Sequence, residues 1–411
     1  VTRELIELED ARRIVLESCS RLPEEPVALD QAHGRVLAAE VHAASAVPGF
    51  DNSTMDGFAV RAEDTAPAEP GRPVRLRIAG ESRAGRPAEL PLEAGEAIRI
   101  STGAMIPKGA DAILHLEEAS EREGEVEAAA PLTPGRDIRR AGEDIEPGQV
   151  VLDAGTFLGP AELGVLASVG SDPVPCVRRP RVSVLTTGDE LVDPRASLGP
   201  GEIHDTNRLT VSALARGAGA EVATSERAAD DPEAVRTALT PALESDAVVI
   251  CGGVSVGEHD HVRRVLEEIG AEQRFWGVAL RPGRPTWFGV SPRGSLVFGL
   301  PGNPVSAVVT FLLFVRPALR VLSGASPESE WVTAVLDDDY AKPPGRTHAV
   351  RVSLRAASDG WHASLTRPEQ ASHILTSMLG ANGLAMVPSG SEGVSAGDVV
   401  EVELIPPHAG P

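Results

Sequence analysis

Arg181-Val-Ser-Val-Leu-Thr-Thr-Gly-Asp-Glu190 and Ala247-Val-Val-Ile-Cys-Gly-Gly-Val-Ser-Val-Gly-Glu-His-Asp260 are two apolar, β-branched runs, each breaking into a glycine–carboxylate turn. Both have the order strand, sharp turn, helix that builds an open α/β sheet, in which ligands sit at the carboxyl ends of the strands. Glycine lets backbone N–H groups approach an anion, and carboxylates hold a divalent cation. The pair of turns therefore points to a phosphate or similar oxyanion handled with a metal ion.

Working outward, Asp205-Thr-Asn207 opens a helix that Gly217 and Gly219 close. Asp231-Pro232 supplies an N-cap followed by proline at the first helical position. Strand Ala247–Cys251 follows, then a helix over 260–269, strands over 275–280, 286–290 and 296–300, and the turn Pro301-Gly-Asn-Pro304 opening a helix over 305–322. Residues 179–325 thus form an α/β domain. Residues 46–140, rich in proline, glycine and short alternating runs such as Val74–Ile78 and Glu96–Ile100, read as an inserted β-rich domain. Helical patterns in 1–45 and 141–178 flank it and suggest one scaffold made of both pieces. Residues 326–411 alternate apolar and polar between turns and read as a C-terminal β domain.

A chain of 411 residues is too long for one ordinary core. Its 42% apolar content supports folded domains, and the longest apolar stretch, 305–322, is interrupted by Thr310, Arg316 and Pro317, which argues against a membrane span. A net charge of −22 argues against a nucleic-acid surface. It leaves room for an anionic substrate at a locally basic site. Three cysteines without metal-ligand spacing fit a reducing cytoplasm. Lys108 and Lys342 are the only lysines; all other basic side chains apart from histidine are arginine.

Each motif has a functional and a bland reading. The turn Gly252-Gly253-Val-Ser255-Val-Gly257 with its acidic end at Asp260 is the most specific and suits a phosphate or nucleotide. Gly188-Asp189-Glu190 suits a metal-binding or phosphate-polarising carboxylate, or is an ordinary helix start. In Arg281-Pro282-Gly283-Arg284 the two guanidiniums converge on a small anion, or stand solvated on a rigid turn. Pro301-Gly302-Asn303-Pro304, with Ser306 beyond, offers free helix N–H groups to an oxyanion, or is a plain strand-to-helix turn. Asp51–Gly57, Thr102-Gly103 and Gly142–Asp144 carry little alone. His259 and His261 lack a third histidine or cysteine to bind zinc.

Together these pieces resemble the molybdopterin molybdenumtransferase family: bacterial MoeA, the E domain of its plant counterpart and the E domain of gephyrin. The resemblance runs in order through Asp51-Asn-Ser-Thr-Met-Asp-Gly-Phe58, Ser101–Ala104, Arg140–Asp144, Thr187–Leu191, Asp205–Asn207, Gly252–Gly257 with Asp260, and Pro301–Pro304. It implies an elongated, multidomain, homodimeric protomer of α/β plus β-rich domains, whose central open three-layer α/β domain resembles molybdopterin adenylyltransferase. It implies that adenylylated molybdopterin is hydrolysed with Mg²⁺ while molybdate is inserted and AMP released. It places Glu190, Asp205 and Asp260 as metal and phosphate ligands. Gly188, Asp189, Gly252, Gly253, Ser255 and Gly257 would lie at the nucleotide. Arg281, Pro282, Gly283, Arg284, Pro301, Gly302, Asn303, Pro304 and Ser306 would lie at the oxyanion. Asp56, Thr102 and Asp144 would come from the partner chain. One departure is clear: the family often carries lysine where Arg281 and Arg284 stand, and arginine cannot act as a neutral amine.

Two other readings remain. A molybdopterin adenylyltransferase shares the α/β domain, but it is a single small domain and is expected here as an upstream partner instead. A gephyrin-like scaffold that binds peptides is disfavoured, because the sequence starts at the E-like region. Molybdate and tungstate, both tetrahedral dianions, are not separated by sequence.

Overall fold

The computed structural model describes residues 5–254 and 261–405. The chain forms two compact units. One comprises Val1–Glu25, Gly34–Ala38 and Cys176–Pro411, and the other Pro26–His33 and Ala39–Pro175.

The larger unit is organised by a six-stranded sheet in the order Glu221–Ala228, Arg181–Thr187, Ala247–Cys251, Leu296–Leu300, Trp287–Val290, Glu272–Trp276. The first four strands are parallel and the last two antiparallel. Strands Ala247–Cys251 and Leu296–Leu300 are apolar and buried throughout because both faces are covered, and Arg181–Thr187 is buried from Val182 onward. Val182, Val184, Val249 and Phe298 face the helices Thr206–Gly217 and Pro304–Leu322. Leu185, Val248, Ile250 and Val297 face the helices Pro232–Ala242 and His261–Glu268. Thr186, Cys251 and Leu300 stand in one row of the register, so Thr187, Gly252 and Pro301 leave the sheet along the same edge. Two of the helices begin at aspartate N-caps, where Asp205 accepts from the Arg208 N–H at 3.1 Å and Asp231 from the Ala234 N–H at 2.9 Å.

Two expectations change. Residues 275–280 are not one strand: the edge strand Glu272–Trp276 ends before Gly277, which has φ +84°. Leu280–Arg281 then pairs in parallel with Thr347–His348 of the C-terminal sheet. The second is the helix Leu8–Glu17. It does not join 141–178; its buried Leu8, Ala11 and Val15 lie in the core of the larger unit with Leu313, Phe314 and Leu319. Pro304–Leu322 is long and apolar enough to cross a membrane, but it is a core helix, 89% buried, in line with the expected helix over 305–322. Its middle, Phe311–Val315, is π-helical.

The C-terminal sheet runs Leu280–Arg281, Thr347–Ala357, Gly360–Leu365, Trp331–Leu336, Val399–Leu404, Gly383–Val387, and the last strand pairs back onto Thr347–Ala357, closing a barrel. The smaller unit holds another six-stranded sheet, in the order Ala112–His115, Gly57–Val60, Glu96–Ile100, Val74–Ser82, Glu125–Ala128, Ala119–Arg122. Beside it, Val41–His42 pairs with Val150–Leu152, and Ala43, Ile145 and Val169 share a small core next to the helix Pro160–Ser168.

Ala11 is fully buried. Ala11→Leu should therefore overpack this core and lower stability by about 1–3 kcal/mol in denaturant unfolding. An unchanged midpoint would mean that the N-terminal helix is not part of the core.

Candidate functional site

The shared strand edge gathers the first group of residues. At the end of the strand Arg181–Thr187, Gly188 is buried with φ +153°, and the Glu190 carboxylate lies over it: a Cβ on Gly188 would stand 2.5 Å from Glu190 Oε2. Asp189 accepts the Asp230 N–H at 3.0 Å. The Asp230 carboxyl is held above the usual carboxylate range, first by burial and then by the charges of Asp189 and Glu190, with His261 opposing. Three carboxylates that repel one another are hard oxygen donors suited to Mg²⁺.

Asp205 is 1% exposed and already engaged. Its Oδ2 accepts from Thr186 Oγ1 at 2.6 Å and Arg208 Nε at 3.3 Å, and its Oδ1 accepts the Arg208 N–H. Its observed work is capping the helix and neutralising Arg208. Among the described residues no group of three or more metal-ligating side chains is close enough to enclose an ion. Ser255, Gly257 and Asp260 lie outside the described residues.

At the neighbouring strand ends, Gly252 and Gly253 have φ +97° and +64°. A Cβ on Gly252 would meet the Thr187 carbonyl oxygen at 2.7 Å, and one on Gly253 would meet Val262 Cγ2 at 2.6 Å. The Asn207 Nδ2 donates to the Gly302 carbonyl at 2.6 Å, tying the helix Thr206–Gly217 to the turn after strand Leu296–Leu300. The start of the long helix differs from expectation. Asn303 makes no side-chain cap bond, and the Val305 N–H donates to the Ser372 carbonyl at 3.2 Å. Fewer helix N–H groups are therefore open to an anion. Pro301 and Ser306 are buried, and Pro304 is half-buried.

The second group lies at the Arg281–Arg284 loop. Pro282 and Gly283 are buried, and a Cβ on Gly283 (φ +123°) would stand 2.5 Å from Thr310 Cγ2. The loop is thereby seated on the long helix, while Arg281 and Arg284 are exposed. The register sets Arg281 beside His348. Arg346 has its pKa lowered by burial and then by Arg281 and Arg284, and Arg351 is pushed down to about 10 by burial and Arg281, against Tyr340. Lys342 Nζ donates to the carbonyls of Arg346, Pro343 and Ser389, pinning the turn that carries Arg346. His348 is 2% exposed, its Nδ1 lies 2.9 Å from the Tyr340 hydroxyl, and its Nε2 has no partner. Burial, then Lys342, Arg281 and Arg346, push its pKa down to about 4, so it is neutral at pH 7. None of these arginines or Lys342 is ion-paired among the described residues. Sequence reasoning missed Arg346, His348, Arg351 and Asp230. The available signal was the basic run Lys342-Pro-Pro-Gly-Arg-Thr-His348 in a chain nearly without lysine.

In the smaller unit, Asp56 and Thr102 do meet: Asp56 Oδ1 accepts the Thr102 N–H at 2.7 Å and Thr102 Oγ1 at 3.0 Å. The Thr102 backbone and hydroxyl bonds hold the Asp56 carboxyl below its ordinary range. Asp144 is exposed, in a loop whose neighbours Arg140 and Ala141 bind Asp51 at 2.5 and 2.8 Å.

Residues 183–321, which hold the central doubly covered sheet, match the family model described as a probable molybdopterin binding domain. Residues 6–170 match the MoeA N-terminal region, domains I and II, and residues 333–405 the MoeA C-terminal region, domain IV. Molybdopterin molybdenumtransferase 2 of Mycobacterium tuberculosis is 38% identical over 96% of this chain and 98% of its own. The molybdopterin molybdenumtransferase of Haemophilus influenzae is 36% identical over 97% and 98%. The crystal structure of a molybdopterin biosynthesis MoeA protein from Pyrococcus horikosii superposes with a TM-score of 0.84, at 35% identity over 98% and 99% of the two chains. The chain belongs to the molybdopterin molybdenumtransferase family.

Because the Asp230 pKa is raised, its contribution favours the folded state at acid pH and is lost as pH rises through that raised value. Asp230→Asn should therefore stabilise the metal-free protein at neutral pH relative to wild type. Denaturant unfolding of both proteins at neutral and at acid pH checks this. Equal stability at neutral pH would mean that the Asp230 carboxyl carries no cost there.

Proposed function

We propose that this chain inserts molybdate into adenylylated molybdopterin in a Mg²⁺-dependent reaction that releases AMP. The observation that carries the reading is the cationic cluster. In a chain of net charge −22, Arg281, Arg284, Arg346 and Arg351 gather without a carboxylate partner among the described residues; besides burial, Arg281 and Arg284 lower the pKa of Arg346, and Arg281 lowers that of Arg351. Such a cluster is complementary to a small dianion, and guanidiniums bind tetrahedral oxyanions through charge-assisted hydrogen bonds.

The glycine turns at Gly188 and Gly252–Gly253 receive the phosphoanhydride. Asp189, Glu190 and Asp230 do not enclose an ion by themselves; with Asp260, which lies outside the described residues, they would supply the oxygen donors for Mg²⁺, and Asp205 keeps the helix start in place. When bound, Mg²⁺ neutralises phosphate charge and polarises the bond to be broken. The arginines orient molybdate and offset its repulsion by the acidic chain. Neutral His348 adds no charge there, and arginine at 281 and 284 excludes a neutral-amine base from that loop.

Asp56, Thr102 and Asp144 complete the site from a second copy in a homodimer. Phe50, Met55 and Met105 are exposed around this loop cluster, as an interface would require. An upstream molybdopterin adenylyltransferase supplies the substrate, and the setting is cytoplasmic.

With purified protein, adenylylated molybdopterin and Mg²⁺, molybdate should be consumed as AMP appears. Arg281→Ala and Arg284→Ala should each raise the molybdate requirement about tenfold or more, as for loss of a charged hydrogen bond. Binding of adenylylated molybdopterin should change little. Lysine at both positions should restore more activity than alanine. An unchanged molybdate requirement in both alanine variants would make the loop a structural turn. Tungstate in place of molybdate reports oxyanion preference in the same assay.

Sedimentation should find a dimer, whose interface buries at least about 2,000 Å² if obligate. A fully active monomer would refute the shared site.

A further inference from the structure

Two buried polar atoms at the strand edge have no hydrogen-bond partner: Thr187 Oγ1 and Asn207 Oδ1. Thr187 is 6% exposed and Asn207 9%. A buried polar group left unsatisfied is costly, and nearly all are paired in folded proteins. Asn52 Oδ1, Arg263 Nη1, Arg316 Nε and Nη1, and His348 Nε2 likewise lack partners among the described residues, His348 within the cationic cluster already described.

The surroundings of the two atoms are continuous. A Cβ on Gly252 would lie 3.1 Å from Thr187 Oγ1, and one on Gly253 would lie 3.0 Å from it, so any residue but glycine would crowd the hydroxyl. A Cβ on Gly302 would lie 3.8 Å from the Gly252 Cα, and the Gly302 carbonyl takes the Asn207 Nδ2 hydrogen. That bond fixes the carboxamide, so its Oδ1 is the atom left over, and it can only accept. Thr187 therefore presents a hydroxyl with a proton to give, beside two glycines in left-handed backbone. Asn207 presents an acceptor beside the Gly302 carbonyl that its own Nδ2 binds.

We propose that Thr187 and Asn207 are substrate-binding residues: the Thr187 hydroxyl donates to a phosphoryl oxygen of the ligand, and the Asn207 Oδ1 accepts an N–H or O–H of the same ligand. This rests on the proposed reading of the strand edge as the phosphoanhydride site and deepens it. Asp205 serves the pair indirectly, since its carboxylate caps the helix that carries Asn207 and accepts from Thr186, the neighbour of Thr187.

An unpartnered hydroxyl makes an unusual demand on its mutant. Thr187→Val keeps the shape and removes no hydrogen bond of the ligand-free protein. Its melting temperature should equal or exceed that of wild type, while affinity for adenylylated molybdopterin, and for inorganic pyrophosphate as a phosphoryl probe, falls about tenfold or more. Thr187→Ser, which keeps the hydroxyl, should bind within a few-fold of wild type. For Asn207→Ala, the rise in melting temperature on adding adenylylated molybdopterin should shrink, beyond any loss seen without ligand.

Wild-type affinity for both probes in Thr187→Val would overturn the inference, as would a large loss of ligand-free stability, since the hydroxyl would then have a structural partner. An undiminished ligand-induced rise in Asn207→Ala would overturn its part. If wild type bound pyrophosphate but not adenylylated molybdopterin, the proposed substrate would fail, while the pyrophosphate arm would still decide the role of Thr187.

Discussion

Three parallel strands, Arg181–Thr187, Ala247–Cys251 and Leu296–Leu300, are buried on both faces and held in one register, and the rest of the larger unit follows from that constraint. Strands covered on both sides carry no polar side chain to solvent along their length, so polar chemistry is confined to their ends. Because the ends are level, three turns must fit side by side. Only glycine fits where Gly252 approaches the Thr187 carbonyl and where Gly253 approaches Val262. The same crowding leaves Thr187 Oγ1 and Asn207 Oδ1 buried without partners.

Electrostatics then divides the unit. Asp189, Glu190 and Asp230 repel one another at the sheet edge, and Arg281, Arg284, Arg346 and Arg351 repel one another at the loop seated on the long helix. Each group is destabilising by itself and would be relieved by a ligand of opposite sign. Perturbed titration of this kind concentrates at functional sites because ligand recognition, not folding, gathers the like charges. The C-terminal barrel contributes directly to the cationic group: strand Leu280–Arg281 leaves the α/β region to pair with Thr347–His348, which sets Arg281 next to the basic run.

Much of this architecture was legible in the chain. The β-branched runs fixed the central strands, and Asp205 and Asp231 marked helix starts through capping chemistry that acts within a few residues. Glycine after an apolar strand marked the ligand edge. The Arg281–Arg284 loop was legible as a candidate for the same local reason, and the ordered motifs carried the family resemblance that the relatives support.

Tertiary structure alone decided what distant residues do together. Nothing local to 275–281 says that an edge strand ends before Gly277 and that the next pair of residues joins another sheet; register between domains makes that choice. Nothing local to Leu8–Glu17 selects the core it enters, since an amphipathic helix fits any apolar face of the right shape. Asn303 looked like a cap, yet its side chain makes no cap bond and the Val305 N–H is taken by the Ser372 carbonyl from the C-terminal region. Arg346, His348 and Arg351 joined the cationic cluster through packing of the barrel, where the basic run Lys342–His348 gave only a weak local signal. The sequence determined which segments are strands, caps and turns, because those depend on neighbours along the chain. The fold decided which charges meet and which polar atoms stay unpaired, because those depend on neighbours in space.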